Sequence, residues 1–349
     1  MNAYERVMAV LEGRKDEIDR LPCVNTVSTA TREFMEATGA FFPDAHKDAE
    51  KMAKLGAAAH RLCGLDNVSI PFDMTIEAEV FGAPIDFKER AAKKGRFLWP
   101  MSKRFILDDP AHFFVPDGFP RVKRVEVVEK AIKMLKEEFG GKVPVNVFMV
   151  PPFTSLSSYL VDTVKFMMWT RSDPQKIHEF MKAATPKYIE IAKVYEEAGA
   201  DIITFHEMGG SMDNVSPDAW REFVGPYLKE LIGSIKGCKT VLNICGRTEM
   251  IIEDMVKVGA DAIVFDERTR VSVAREKADS VRKGYPIIGN IPAKQVIHAG
   301  DAELIRKFVK RAIDEGVDMV SPGCDFWIET PAEKIKIFVS AVEEFGKRQ

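Results

Sequence analysis

Two of the five cysteines lie where a buried strand is expected to end, and each has a glycine beside it. In the stretch TVLNICG, Cys245 follows an apolar run and precedes Gly246, and in SPGCDFW, Cys324 follows Gly323. Two thiolates that converge with one imidazole or carboxylate form a zinc site with one open position for a substrate. We therefore expect both cysteines to bind a metal, the alternative being that they pack as small buried side chains.

Other ionisable side chains at predicted strand ends could complete this site. His206 and Glu207 stand together in TFHEMGG, where either could be the third ligand or a catalytic acid, or both could be hydrogen-bonded loop residues. Glu267 follows a later apolar run and is expected to act as an exchangeable ligand or catalytic acid, the alternative being that it is a structural acid. Gly209 and Gly210 permit a tight turn, and we expect them to leave room for a flat cofactor.

Amide and aromatic side chains occupy further predicted strand ends. Such residues could orient a substrate or form a wall against a flat one, or they could simply be part of the core. We expect substrate contacts from Asn25, Asn243, Phe326 and Trp327, a cofactor contact from Asn290, and a catalytic role for Asp73.

Eight short apolar runs alternate with helical segments, which is typical of a parallel sheet covered by helices. Similar phrases precede several of them, as in EEAGADIITF, VKVGADAIVF and DEGVDMVS. This repetition predicts an α/β fold of the (β/α)8 TIM-barrel type, with a doubly wound open sheet as the alternative. The predicted strands are Leu21–Val27, Val68–Phe72, Val143–Met149, Asp201–Phe205, Thr240–Ile244, Ala262–Phe265, Tyr285–Gly289 and Asp318–Ser321.

The longest interruption of this pattern lies between strands two and three. It carries EAEVFGAPIDFKERAAKKGRFLWP, whose turn residues and alternation predict a hairpin excursion over the barrel mouth. No low-complexity tract or Pro/Ser-rich linker divides the chain. We therefore expect residues 1–349 to form a single TIM-barrel domain.

The composition restricts location and partners. Hydrophobic residues make up 46% of the chain and charged residues 30%, with a formal net charge of −3. We expect no dense basic tract, no nucleic-acid partner, no membrane span and a cytoplasmic location. In that reducing compartment Cys23, Cys63 and Cys238 are expected to be structural. No GxGxxG, GxxxxGK[ST] or GxSxG motif supports nucleotide binding or serine hydrolysis.

Three long stretches carry a resemblance to a known family: ERVMAVLEGRKDEIDRLP, AHKDAEKMAKLGAAAHRLCGLDNVSIPFDMT and SPGCDFWIETP. Along essentially its whole length the chain resembles the uroporphyrinogen decarboxylase superfamily, and within it the corrinoid-linked methyltransferases. The resemblance implies a TIM barrel. The decarboxylase itself is disfavoured, because CVNTVSTATREF lacks its arginine-rich substrate motif and only Asp73 matches its pyrrole-binding aspartate.

The methylcobamide:coenzyme M methyltransferases resemble the chain more closely. They hold zinc with a His-x-Cys pair after strand five and a cysteine after strand eight, which match Cys245 and Cys324, while Glu267 matches an acid of strand six. Asn243 stands where those enzymes have the histidine, and an amide is a poor zinc ligand beside two thiolates. His206 or Glu207 would then replace the histidine. This departure favours the related branch that takes methyl groups from methyl ethers.

The resemblance implies a zinc-dependent methyltransferase that works with a corrinoid protein docked over the strand ends. The leading hypothesis is methyl transfer from an O-methylated compound, such as a methoxylated aromatic, to the cobalt of that protein. The alternatives are transfer from the corrinoid to a thiol such as coenzyme M, and a metal-free homologue that binds a tetrapyrrole or corrinoid or resembles the decarboxylase. Whether the chain forms a homodimer is left open by its sequence.

Overall fold

A curled sheet of seven parallel strands forms the centre of the computed structural model, which describes residues 1–348. Its strand order is β1-β4-β5-β6-β7-β8-β9, and every adjacent pair is parallel. The strands are β1 Val68–Ile70, β2 Ile85–Asp86, β3 Met101–Ser102, β4 Val145–Met149, β5 Ile202–His206, β6 Lys239–Ile244, β7 Ala262–Phe265, β8 Ile287–Ile291 and β9 Met319–Pro322.

Helices follow most strands of this sheet and cover its outer face, as in a TIM-like barrel. They are α1 Ala3–Leu11, α2 Arg32–Thr38, α3 Ala49–Gly56, α4 Ala58–Cys63, α5 Ile76–Val80, α6 Glu89–Ala92, α7 Arg124–Phe139, α8 Pro152–Ser155, α9 Thr163–Ser172, α10 Pro174–Glu197, α11 Pro217–Phe223, α12 Gly225–Gly233, α13 Ile252–Lys257, α14 Val271–Val281, α15 Ala302–Asp314 and α16 Ala332–Phe345. Side chains cap several of these helices, and the amide of Asn2 forms a capping box with Glu5 at the start of α1.

The N-terminal segment lies between the two edge strands, but it is not the regular strand predicted for Leu21–Val27. Val24 N donates to Val320 O of β9 (2.9 Å), and Asp66 N donates to Cys23 O (2.7 Å) just before β1. Cys23 forms a single parallel bridge with Val320. The predicted strand Leu21–Val27 is therefore corrected to an irregular segment. This segment connects the two edge strands, β1 and β9, through a few backbone hydrogen bonds.

The excursion between β1 and β4 contains the antiparallel pair β2 and β3, with Ile85 opposite Ser102. Each strand has two residues and helix α6 lies between them, so the predicted hairpin is not confirmed in its simple form. Residues 88–104 carry seven Lys or Arg side chains and one acid, Glu89. The expectation that the chain has no dense basic tract is wrong for this segment.

Helix α1 closes the N-terminal end of the curled sheet. Its buried residues Val7 and Val10 belong to an apolar cluster with Ile202, Val241 and Ile288, which come from three strands. This end of the sheet interior is filled by packed side chains, and the functional residues of parallel barrels lie at the opposite end, where the strands finish. No helix among residues 1–348 combines the length and apolar character needed to cross a membrane.

Candidate metal centre

Three potential metal ligands meet at the C-terminal end of the sheet. The ligand atoms of His206, Cys245 and Cys324 all lie within 4.8 Å of one another, and His206 Nε2 is 3.3 Å from Cys245 Sγ. His206 is the last residue of β5, Cys245 directly follows β6, and Cys324 lies two residues after β9. The structure therefore brings together the three residues for which the sequence predicts metal binding, from strands that are far apart in the chain.

The glycine beside each cysteine lets the two loops approach closely. Gly246 has φ +94°, and a Cβ there would come within 2.6 Å of Asp213 Oδ2. The Gly246 N–H donates to Asp266 Oδ2 (2.5 Å), which fixes the turn after Cys245. A Cβ on Gly323 would overlap the Cα of Asp266. Both glycines are needed because backbone and side-chain atoms of neighbouring loops occupy the space that a side chain would take.

The charges of the cluster suit a divalent cation. Burial lowers the pKa of His206 to about 4, so its imidazole is neutral near pH 7 and keeps a lone pair for a metal. The facing Cys324 thiol and burial both raise the pKa of Cys245 well above its usual value. The Cys245 thiol therefore resists ionisation unless a cation lies beside it. Two thiolates and a neutral imidazole are ligands that zinc prefers, so the donor set fits this metal.

Asn243 does not belong to this donor set, although it is in contact with it. Its Cα is paired with that of His206 across the β5–β6 ladder, and its Oδ1 is 3.6 Å from Cys245 Sγ. The buried Nδ2 has no hydrogen-bond partner within residues 1–348. The imidazole of the cluster thus comes from β5, and a side-chain amide occupies the adjacent position on β6.

Glu207 is buried beside the cluster and supports the turn that follows β5. Its Oε1 accepts a hydrogen bond from the Thr154 hydroxyl, and Thr154 Oγ1 accepts one from Gly209 N (2.8 Å). Burial raises the pKa of Glu207 to about 8, and Oε2 has no partner in the described part of the chain. Glu207 is not among the three clustered ligands, so its contacts indicate a positioning role.

The space beside Gly209 and Gly210 is filled by protein atoms. A Cβ on Gly209 would lie 2.9 Å from Thr154 Oγ1, and one on Gly210 would lie 3.1 Å from Trp220 Nε1. The expectation that these glycines leave room for a flat cofactor is therefore not met. They allow α8 and α11 to pack against the turn after β5.

A cavity of about 320 Å³ opens beside the two cysteines. The indole rings of Trp99 and Trp327 lie on its wall, with centroids 6.4 Å apart and planes inclined by 60°. Phe326 is buried, whereas Trp327 retains 37% of its exposure. Glu267 lines the same cavity with an exposed side chain, so it faces the space available to a substrate. Phe326 and Trp327 thus both line this cavity, and their contact with a substrate stays a prediction.

Asp73 is held in a buried ionic network. Its Oδ2 lies 2.7 Å from Arg124 and 3.0 Å from His46 Nδ1, and its Oδ1 accepts hydrogen bonds from Thr75. Burial opposes ionisation of Asp73, but Arg124 and His46 outweigh this effect and hold the pKa of the carboxyl well below its usual range. These contacts give Asp73 a structural task, and it does not line the cavity beside the cysteines.

The amides of Asn25 and Asn290 are also engaged by the protein. Asn25 Oδ1 accepts from Val27 N (3.0 Å) within its own turn, and Asn290 Nδ2 donates to Thr269 O (2.8 Å). Neither residue lines the cavity beside the cysteines. The contacts predicted for them with substrate or cofactor are replaced by contacts that order the loops.

Sequence reasoning gave no role to six residues that line this cavity, among them Asp325 and Trp99. Asp325 accepts a hydrogen bond from Ser28 N (2.8 Å), and burial raises its pKa to about 7. Its position directly after Cys324 was the available signal. Trp99 reaches the cavity from the excursion between β1 and β4, and no local pattern around it indicated this.

Comparison with known proteins identifies the family of the chain. The uroporphyrinogen decarboxylase (URO-D) family model matches residues 2–345. The methylcobamide:CoM methyltransferase MtaA of Methanosarcina barkeri is 31% identical over 340 residues, covering 97% of both chains. MtbA of Methanosarcina mazei, also a methylcobamide:CoM methyltransferase, is 30% identical and covers 95% of both. A solved methyltransferase from Methanosarcina mazei superposes with a TM-score of 0.90 at 30% identity, over 99% of each chain. The chain therefore belongs to the uroporphyrinogen decarboxylase family, and these relatives within it are methyltransferases.

Proposed function

We propose that this chain is a zinc-dependent methyltransferase that transfers a methyl group from a corrinoid protein to a small thiol. The observation that carries the proposal is the cluster of His206, Cys245 and Cys324 at the edge of a cavity large enough for a small substrate. Relatives that act on methylcobamide and CoM support the same class of reaction. The thiol acceptor, the second of the hypotheses drawn from the sequence, is favoured by these relatives.

The proposed chemistry needs a thiolate next to an activated methyl group. Zinc held by the cluster would lower the pKa of a thiol at its open position. The neutral His206 imidazole and the two cysteine thiolates balance the charge of a divalent cation, and Glu207 holds the turn that presents His206. The substrate sulfur attacks the methyl carbon, so a carbon–sulfur bond forms while the cobalt–carbon bond breaks with its electron pair left on cobalt. The thiol proton passes to solvent.

A second candidate is methyl transfer from a methoxylated aromatic compound to the cobalt. It is supported by the indoles of Trp99 and Trp327 and by Asp325, whose pKa of about 7 leaves part of its carboxyl protonated near neutral pH. An aryl ether needs its oxygen protonated or polarised before it can leave. Asp325 would be the proton donor in that reaction, with Glu267 and the corrinoid partner at the open side of the cavity.

The experiment measures zinc content and then the visible spectrum of added corrinoid. We expect one zinc ion per chain, and we expect methylcobalamin to lose its methyl group when a thiol such as 2-mercaptoethanesulfonate is present. The Cys245→Ala and Cys324→Ala variants should lose zinc and turnover, whereas Cys63→Ala should keep both. Full turnover in a zinc-free variant would refute the proposal. Methylation of Co(I) cobalamin by a methoxybenzoate, without activity toward thiols, would favour the second candidate.

A further inference from the structure

Lys294 lies in the same cavity as the two cysteine thiols. It belongs to the π-helical turn Ala293–His298 that follows β8. Its Nζ is 4.3 Å from the ring centroid of Trp327, a distance typical of a cation–π contact. Because Trp327 also lines the cavity, this contact holds a positive charge at the cavity wall.

The positive charge of Lys294 has no protein counterion. No carboxylate within residues 1–348 lies within 4.0 Å of its Nζ, which also makes no hydrogen bond to the described residues. Asp266 and Asp325 line the cavity too, but their oxygens accept backbone N–H groups. Lys294 is the one lysine or arginine on the wall of this cavity within the described residues. Its N–H donors are therefore available to a ligand.

We propose that Lys294 and Trp327 form a subsite for a negatively charged group on the thiol substrate, an inference that rests on the proposed function. The sulfur would face Cys245 and Cys324 while a sulfonate or carboxylate at the other end faces Lys294. A cavity of about 320 Å³ restricts such a substrate to a small molecule. The subsite would make the protein select anionic thiols over neutral ones.

The acidic side chains that line the cavity favour a substrate of the opposite charge, a cationic thiol. Asp266, Glu267 and Asp325 would attract a positively charged thiol such as cysteamine. Two of these carboxyls are committed to backbone N–H groups, whereas Lys294 has only the indole face as a partner. Glu267 is exposed and, like Lys294, has no hydrogen-bond or ion-pair partner among the described residues, so cysteamine is the discriminating probe.

The test replaces Lys294 and compares small thiols whose second functional group is anionic, neutral or cationic. Lys294→Met removes the charge, Lys294→Glu reverses it, and Lys294→Arg is the conservative variant. Lys176→Met is the matched control, because Lys176 Nζ lies 4.1 Å over the ring of Trp169 outside the cavity. Protein loaded with Co(II) is titrated with 2-mercaptoethanesulfonate, 3-mercaptopropionate, 2-mercaptoethanol and cysteamine, and the sulfur-to-cobalt absorption gives each dissociation constant.

We expect the anionic thiols to bind about tenfold more tightly than 2-mercaptoethanol, as one charge-assisted hydrogen bond at an exposed cation allows. Lys294→Met should bring this ratio to about one, and Lys294→Glu should favour cysteamine. Lys294→Arg and Lys176→Met should retain the preference. A preference for cysteamine in the unmodified protein, or an unchanged ratio in Lys294→Met, would overturn the inference.

A second titration separates this inference from the proposed function. Metal-free protein is titrated with ethanesulfonate, which has the anion but no thiol, and tryptophan fluorescence is followed. Quenching that disappears in Lys294→Met supports the subsite without any metal, and its absence at about 0.1 M ethanesulfonate, the dissociation constant to which a tenfold gain alone corresponds, refutes it. If no thiol binds to Co(II)-loaded protein while ethanesulfonate still binds, the proposed function fails and the subsite stands.

Discussion

Moving the imidazole from β5 to β6 tests the metal centre most directly. His206 and Asn243 are paired across the parallel ladder, so their Cα atoms are about 4.8 Å apart, the usual spacing of neighbouring strands. His206 Nε2 lies 3.3 Å and Asn243 Oδ1 lies 3.6 Å from Cys245 Sγ. A double variant with His206→Asn and Asn243→His should therefore still present an imidazole to the two cysteines.

The size of the effect follows from the number of ligands. A structural zinc ion contributes about 10–16 kcal/mol through four ligands, or roughly 3 kcal/mol for each. His206→Asn alone should therefore raise the zinc dissociation constant more than about 100-fold. In excess zinc this loss corresponds to about 2.7 kcal/mol of stability. The double variant should recover zinc affinity to within about tenfold of the original.

The assay is competition with a chromophoric chelator, combined with thermal unfolding in the presence and absence of zinc. His112→Asn is the control, because His112 is exposed and its ring lies near Asp108 far from the cluster in the chain. If His206→Asn keeps its zinc affinity, His206 is not a ligand. If the double variant remains as weak as the single one while its metal-free stability is unchanged, the argument from strand pairing fails.

Three further predictions concern stability. Gly323→Ala should lower the free energy of unfolding by about 2 kcal/mol, because the added Cβ would overlap backbone atoms. Gly233→Ala, where the added Cβ has no atom within 4 Å, should change the free energy of unfolding by less than about 1 kcal/mol. Urea unfolding measures both variants. Burial raises the pKa of Glu77 to about 8, so the free energy of unfolding should fall as pH rises from about 4.5 to about 8, by up to roughly 1.4 kcal/mol per pH unit. Unfolding measured at two pH values in this range should show a smaller fall in the Glu77→Gln variant. Asp73→Asn should cost about 1–3 kcal/mol, because the buried Arg124 loses one of its two carboxylate partners and keeps Glu79, and a loss below about 0.5 kcal/mol in urea unfolding would contradict this.

The central strands could be predicted from the sequence because each is buried on both faces. The predicted strand Ala262–Phe265 agrees with β7 residue for residue, and Asp201–Phe205 differs from β5 by one residue at each end. A strand covered on both faces reads as a continuous apolar run, whichever residues flank it. The polar residues directly after such runs are then found at one end of the sheet, which is why the positions of Cys245 and Cys324 could be anticipated.

The predicted N-terminal strand does not form a regular ladder with β1, because side chains take the place of backbone acceptors there. Cys23 N donates to Asp66 Oδ2 (2.8 Å), and Asn25 N donates to Asn67 Oδ1 (2.9 Å). Pro22 has no N–H to offer. The run Leu21–Val27 has the apolar character of a strand, but two of its backbone N–H groups donate to the side chains of an acid and an amide 42 or 43 residues later.

Contacts between loops that are distant in the chain could not be predicted from the sequence either. The pair Gly209-Gly210 indicates only that the backbone is unrestricted, and it does not reveal that Thr154 and Trp220 fill the adjacent space. Lys294 and Trp99 have ordinary sequence surroundings and become cavity residues only when their loops fold over the strand ends. Composition also conceals local charge, because the net charge of −3 averages over the basic residues 88–104.

The three ligands of the candidate metal centre are distributed over a third of the chain. His206 and Cys245 are 39 residues apart, and Cys324 is supplied only by the last parallel strand. A fragment that ends before β9 therefore lacks a complete donor set, however well its earlier strands pair. Zinc content would consequently report the fraction of molecules in which the final strand has joined its neighbours, so incomplete metal loading would be an early sign of misfolded or clipped protein.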